Sequence, residues 1–171
     1  ALQDSKIAEI AIKLFQVLGY GVEIAPIKDS GRTFISKGMV KRAKKLAKQN
    51  IDKIKNLINT QNVLVGIEPS SLLSFRDEYP SLVEEDIEQL NSNIYLFDEF
   101  FAKEIEENNI SAEQFTEKEE KILLHGHCQQ KALIGSVYME KMLSLPKNYS
   151  VEVIPSGCCG MAGSYGYEKR H

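Results

Sequence analysis

Apolar positions recur with two different periods along this chain, and the switching between them predicts the architecture. Ile7, Ile10, Ala11, Leu14, Phe15 and Leu18 fall at helical spacing, with Gly19 as a stop. Val22-Glu23-Ile24-Ala25 reads as a short strand ended by Pro26. A polar loop then leads to the longest helical pattern, residues 36–59. Its apolar stripe is Met39, Val40, Ala43, Leu46, Ala47, Ile51, Ile54, Leu57 and Ile58, and its other face is rich in lysine. Val63-Leu64-Val65-Gly66-Ile67 is a continuous apolar run, as expected of a strand buried on both faces. Glu68-Pro69-Ser70-Ser71 ends that run and caps a short helix.

The second part of the chain repeats the alternation. The pattern predicts a helix over residues 83–90, a strand over 94–97 and a helix over 99–107 capped by Asp98. A strand over 121–124, a helix over 129–143 and a strand over 151–154 follow. Strands alternating with helices predict an α/β fold: a mainly parallel sheet with helices on both faces. In such sheets, sites form in the loops beyond the carboxyl ends of the strands.

An internal repeat divides this pattern. Gly21-Val22-Glu23-Ile24-Ala25-Pro26 matches Ser150-Val151-Glu152-Val153-Ile154-Pro155 without a gap. Each proline is followed by two residues and then by Asp29-Ser30-Gly31 in one copy and Cys158-Cys159-Gly160 in the other. The repeat predicts two related halves in one cysteine-rich domain, a degenerate half over about 1–92 and a cysteine-bearing half over about 93–171.

Composition narrows the class. Hydrophobic residues at 43% and charged residues at 26% suit a globular protein with a sizeable core. A formal charge of −3 gives no general pull toward nucleic acid. No apolar run approaches the ~20 residues of a transmembrane helix. An odd count of three cysteines argues against a disulfide framework and for a reducing, cytoplasmic setting, peripheral to a membrane only through partners. Both ends of the chain read as cuts, so an excised segment of a longer polypeptide is expected.

The candidate chemistry lies in those cysteines. Adjacent Cys158 and Cys159 place two soft sulfurs at one spot, inside a turn bearing Gly157, Gly160 and Gly163. Cys128 precedes them in His125-Gly126-His127-Cys128, 29 residues separating it from Cys158. One helix and one strand fill that interval, a crossover that returns the chain beside its start. Three thiolates then face one centre, suited to an iron–sulfur cluster or zinc, with His127 or His125 as a further ligand. The glycine spacing also resembles a phosphate loop, but it is GxxGxxG, not the dinucleotide GxGxxG. A non-metal thiol site cycling through a vicinal disulfide is another reading.

Several motifs together resemble the cysteine-rich "CCG" domain of Fe–S oxidoreductases. They are Ser30-Gly31-Arg32-Thr33-Phe34-Ile35-Ser36-Lys37-Gly38, Gly66-Ile67-Glu68-Pro69-Ser70 and Phe75-Arg76-Asp77-Glu78-Tyr79-Pro80, with His125-Gly126-His127-Cys128-Gln129 and Gly157-Cys158-Cys159-Gly160-Met161-Ala162-Gly163-Ser164. That family includes cysteine-rich subunits of heterodisulfide reductase, glycolate oxidase and anaerobic glycerol-3-phosphate dehydrogenase. The likeness is strongest to the C-terminal part of flavin-linked D-lactate or glycolate dehydrogenase fusions. The family pattern is a cysteine, a spacer, a cysteine pair, a second spacer and Cys-x-x-Cys. Cys128, Cys158 and Cys159 match its first three ligands, and the Cys-x-x-Cys is absent from this sequence.

The resemblance implies an electron-transfer domain that holds an iron–sulfur cluster, of the 4Fe–4S type, through Cys128, Cys158 and Cys159, with Gly160 shaping the loop. It implies FAD elsewhere on the parent protein, and flavin-binding and ferredoxin-like domains as partners. It does not imply a fragment active alone. The alternatives are a zinc site that adds His127 and a vestigial structural docking module of the same larger enzyme. The lysine face of residues 36–59 is either a solvated surface or a seat for an acidic partner domain.

Overall fold

The computed structural model describes residues 5–27, 29–158 and 160. Helix α1 (Ser5–Val17) ends as its spacing predicts, with Gly19 in the left-handed region at φ 93°. Residues 21–25 form no strand and find no ladder partner among the described residues, and Ile24 is 85% exposed. The predicted first strand is therefore an extended, unpaired segment: its apolar alternation had no neighbouring edge to join.

The long helix predicted over 36–59 is shorter at both ends, and a separate short helix precedes it in the segment read as a loop. A short α2 (Arg32–Ser36) stops at Gly38, whose φ of 69° turns the chain, and α3 (Val40–Ile54) carries the apolar stripe. Ala43, Ala47, Ile51 and Ile54 on that stripe are buried. The lysine face is partly answered within the chain, since Lys44 pairs with Glu84 at 3.0 Å and Lys55 with Glu85 at 3.6 Å.

Strand β1 (Leu64–Gly66) runs parallel to β2 (Ile94–Leu96), with Leu64 opposite Ile94 and Gly66 opposite Leu96. The crossover between them is α4 (Pro69–Arg76), α5 (Tyr79–Leu82) and α6 (Glu88–Asn91). Of the helix expected over 83–90 only its end forms, as α6, and α5 precedes the expected span. Val83 is extended, and Asp86 accepts the N–H of Glu88 at 2.9 Å, a side-chain turn that competes with continued helix.

Alternation along β1 and β2 separates two cores. Ile94 and Leu96 face Ile51, Ile54, Leu72, Leu73, Phe75 and Tyr79 from α3, α4 and α5. Val65 and Tyr95 face an aromatic core built on Phe15, Phe100 and Phe101, in which the Phe15 ring lies 5.5 Å from Phe100. Helices thus cover both faces of this sheet, as the fold class predicts. Approach on one side is close: a Cβ on Gly66 would stand 2.7 Å from Leu72 Cδ1, so glycine is what lets α4 seat against β1.

Glu68 caps α4. Its carboxylate accepts the N–H groups of Ser70 at 3.1 Å and Ser71 at 2.6 Å. Burial works against its charge, but the side-chain and backbone hydrogen bonds of Ser71 and Ser70 outweigh that and hold its carboxyl below the usual range. A depressed pKa means that the stabilisation is complete above the ordinary carboxylate value and drains as pH falls through the folded one. Glu68→Ala is expected to cost about 0.5–2 kcal/mol at neutral pH, the range for a lost side-chain cap. Urea midpoints of the variant and the unchanged protein should converge on acidification.

Helix α7 (Phe97–Glu106) follows β2 directly. Its cap differs from the expected one. Leu96 holds the cap position and Glu99, not Asp98, accepts the Leu96 N–H at 2.9 Å. A second parallel pair, β3 (Glu120–Leu124) and β4 (Tyr149–Val153), forms a separate sheet. Its crossover is α8 (Cys128–Leu133) and α9 (Val137–Leu143), one predicted helix broken at Gly135 with φ 79°. Among the described residues the four strands therefore form two short parallel pairs and no single continuous sheet.

Candidate functional site

The second crossover positions the cysteines. Leu124 and Val153 are register partners at the carboxyl ends of β3 and β4, so the loops carrying Cys128 and Cys158 leave from one edge. Cys128 is the first residue of α8, and both Cys128 and Cys158 are exposed. Cys159 and Gly163, and with Gly163 the phosphate-loop reading, lie outside the described residues.

Strand β3 ends before the histidines, so they do not share the strand face their spacing suggests. His125 is exposed, and its Nε2 lies 3.5 Å from the Gly157 carbonyl. His127 stands at the N-cap position of α8 without a side-chain capping bond, its Nδ1 buried and without a hydrogen-bond partner among the described residues. Among those residues no three His, Cys, Asp or Glu side chains gather into an ion-binding group. A site built on Cys128 and Cys158 thus needs a donor from beyond them, and adjacent Cys159 is the candidate. The donor chemistry, exposed thiols at the ends of parallel strands, suits an iron–sulfur or zinc centre.

The two copies of the sequence repeat make the same turns. Ile27 N–H bonds to Ala25 O at 2.8 Å across Pro26, and Ser156 N–H bonds to Ile154 O at 2.7 Å across Pro155. Gly31, at φ 77°, donates its N–H to Asp29 Oδ1 at 2.7 Å. Gly160, at φ 82°, donates its N–H to Cys158 Sγ at 3.4 Å. Cys158 therefore occupies the acceptor position that an aspartate fills in the first copy. Left-handed glycine at both positions is what the turn requires.

What holds each loop differs. In the first copy, Tyr79 donates to Ser30 O at 2.7 Å and Asn50 donates to Asp29 O at 2.8 Å, with Asn50 and Tyr79 both buried. In the second, Lys131 donates through Nζ to Ser156 O at 2.8 Å and Gly157 O at 3.1 Å. Nothing in the sequence pattern marks Lys131 for this role except its position one helical turn after Cys128.

Helix α8 is anchored from below by a buried polar pair that the sequence also hid. Gln130, 1% exposed, donates through Nε2 to Asp98 Oδ2 at 2.5 Å, while its Oε1 has no partner among the described residues. Burial raises the Asp98 carboxyl pKa, against the hydrogen bonds that favour its charge. A raised carboxyl pKa favours the neutral form in the fold, so its contribution weakens as pH rises through that value. Asp98→Asn removes the buried charge and supplies an amide N–H for the orphaned Gln130 Oε1. Thermal melts at neutral pH should show the variant more stable by about 1 kcal/mol, the typical net value of one hydrogen bond.

Comparison with known proteins adds a second line. The chain is 28% identical over 169 residues to D-2-hydroxyglutarate dehydrogenase of Escherichia coli K12, covering 98% of this chain and 16% of that protein. The D-2-hydroxyglutarate dehydrogenase of Haemophilus influenzae is also 28% identical, over 173 residues. One subunit of the anaerobic glycerol-3-phosphate dehydrogenase of Escherichia coli K12 is 27% identical over 163 residues, covering 94% of this chain and 40% of that polypeptide. The relatives are dehydrogenases or dehydrogenase subunits. The chain spans well under half the length of each of them. No family model matches the chain, and no solved structure matches it. No helix among the described residues is long and apolar enough to cross a membrane.

Proposed function

We propose that the chain is the electron-transfer part of a larger flavin-linked oxidoreductase acting on a 2-hydroxy acid. In this reading Cys128, Cys158 and Cys159 hold an iron–sulfur cluster. The observation that carries it is the β3–β4 crossover, which starts the Cys128 and Cys158 loops from one sheet edge. Likeness along almost the whole chain to parts of hydroxy-acid and glycerol-3-phosphate dehydrogenases supports it.

A bound cluster would pass electrons one at a time between the flavin domain and an acceptor. The chain's own residues prepare its seat. The Gly160 N–H is directed at Cys158 Sγ at 3.4 Å, a backbone donor for a ligating sulfur. The Lys131 ammonium, held over the Ser156 and Gly157 carbonyls, brings positive charge to a loop whose sulfurs become anionic on binding. Exposure of Cys128 and Cys158 leaves the site open toward a partner domain.

The test is anaerobic reconstitution of the full-length parent with iron and sulfide, followed by absorption and EPR spectroscopy. The unchanged protein should gain cluster spectra that Cys158→Ser/Cys159→Ser lacks. Identical, iron-free spectra from both would overturn the proposal, and zinc retained in place of iron would favour the zinc reading.

A further inference from the structure

We propose that Lys131 is a positioning residue that sets the distance between Cys158 and Cys128. It extends the reading above, and its test is made without metal so that the two can fail separately. Lys131 belongs to α8, the helix that Cys128 opens, and its Nζ reaches across to two successive carbonyls, Ser156 O at 2.8 Å and Gly157 O at 3.1 Å. Gly157 immediately precedes Cys158. One side chain thus ties the helix bearing the first thiol to the backbone that presents the second.

The surroundings are shaped for this reach. The Lys131 stem passes over Gly126, where a Cβ would stand 3.1 Å from Cγ and 3.2 Å from Cδ. Gly126 is buried beneath it. The His125 ring is drawn to the same Gly157 carbonyl at 3.5 Å. At its base, the Gln130–Asp98 bond fixes α8 to α7, so the clamp works from a rigid support. Among the described residues no atom stands within 4 Å of a Cβ added at Gly157 or Gly160. A glycine-bearing loop keeps a sulfur at ligand distance only if something fixes its backbone. Asn50 and Tyr79 do this for the first-copy loop through its Asp29 and Ser30 carbonyls. Lys131 does it for the second.

The experiment uses the reduced, metal-free chain in a Cys159→Ser background and a short bifunctional thiol reagent, dibromobimane, that fluoresces when both arms have reacted. Cys128 and Cys158 should cross-link in the parent background. Lys131→Met should slow cross-linking at least fivefold, while single-site alkylation by iodoacetamide at each cysteine changes less than twofold. Lys131→Arg, which keeps two-carbonyl donation, should restore most of the rate. Gly126→Ala, which pushes on the lysine stem, should slow it as well. Equal cross-linking in Lys131→Met and the parent background, or no cross-linking in either, would overturn the proposal. Alkylation rates that fall together with the cross-linking rate would also overturn it, since they would report a loss of thiol reactivity and not of positioning.

Discussion

Replacing Glu99 with alanine is expected to lower the denaturation midpoint sharply, by a loss of about 3–5 kcal/mol, the range for removing one partner of a buried ion pair. Three bonds converge on this carboxylate. Arg76 Nη1 donates to Oε1 at 2.8 Å and to Oε2 at 2.7 Å, and the buried Leu96 N–H donates to Oε2 at 2.9 Å. Glu99 therefore joins α4 to α7 and closes the cap of α7 where β2 ends. Alanine would leave the Arg76 guanidinium without this partner and orphan a backbone donor. The Arg76 side chain is 30% exposed, so water recovers part of its loss and the lower end of the range is expected. Urea unfolding of Glu99→Ala beside Arg76→Met separates the two contributions. A change below about 1 kcal/mol in Glu99→Ala would mean that the cap and the pair are both solvated in solution.

The largest functional effect is expected at Cys128. Its thiol is exposed at the start of α8, so Cys128→Ser should shift stability by less than about 0.5 kcal/mol, as surface substitutions do. Cluster incorporation, by contrast, should fall to near zero, because serine offers oxygen in place of the soft sulfur that iron–sulfur sites use. The contrast between unchanged folding and lost iron distinguishes a ligand from a packing residue. Cys128→Ser protein that binds iron and sulfide as well as the unchanged parent would remove Cys128 from the ligand set.

The parts of this fold set by local chemistry were legible in the sequence. Gly19 stops α1, Glu68 caps α4, and the apolar stripe of α3 is buried at Ala43, Ala47, Ile51 and Ile54, while Met39, Val40 and Leu57 at its ends are exposed. The return of β4 beside β3, inferred from the crossover, is present as a parallel pair with Leu124 opposite Val153. The misread elements share a cause: pattern reports which face is apolar but not whether a partner exists. Residues 21–25 alternate like a strand yet have no paired edge among the described residues. Gly38 and Gly135 sit inside helical patterns as breaks because each adopts a left-handed backbone, which spacing alone does not encode.

The candidate site divides in the same way. Its cysteines announced themselves by adjacency and their glycine-rich turn. The turn geometry, with Gly160 donating to Cys158 as Gly31 donates to Asp29, gives the sequence repeat a physical meaning. Lys131, Gln130 and Asp98 were not legible. A lysine that clamps carbonyls and an aspartate that meets a glutamine 32 residues away carry no short-range signature.

Metal content of the full-length parent tests the central claim most directly. Purified anaerobically without chelators, it should contain iron and acid-labile sulfide, and the Cys158→Ser/Cys159→Ser parent should contain measurably less of both. Equal iron and sulfide in the two proteins, or zinc in their place, would contradict an iron–sulfur role for this cysteine pair.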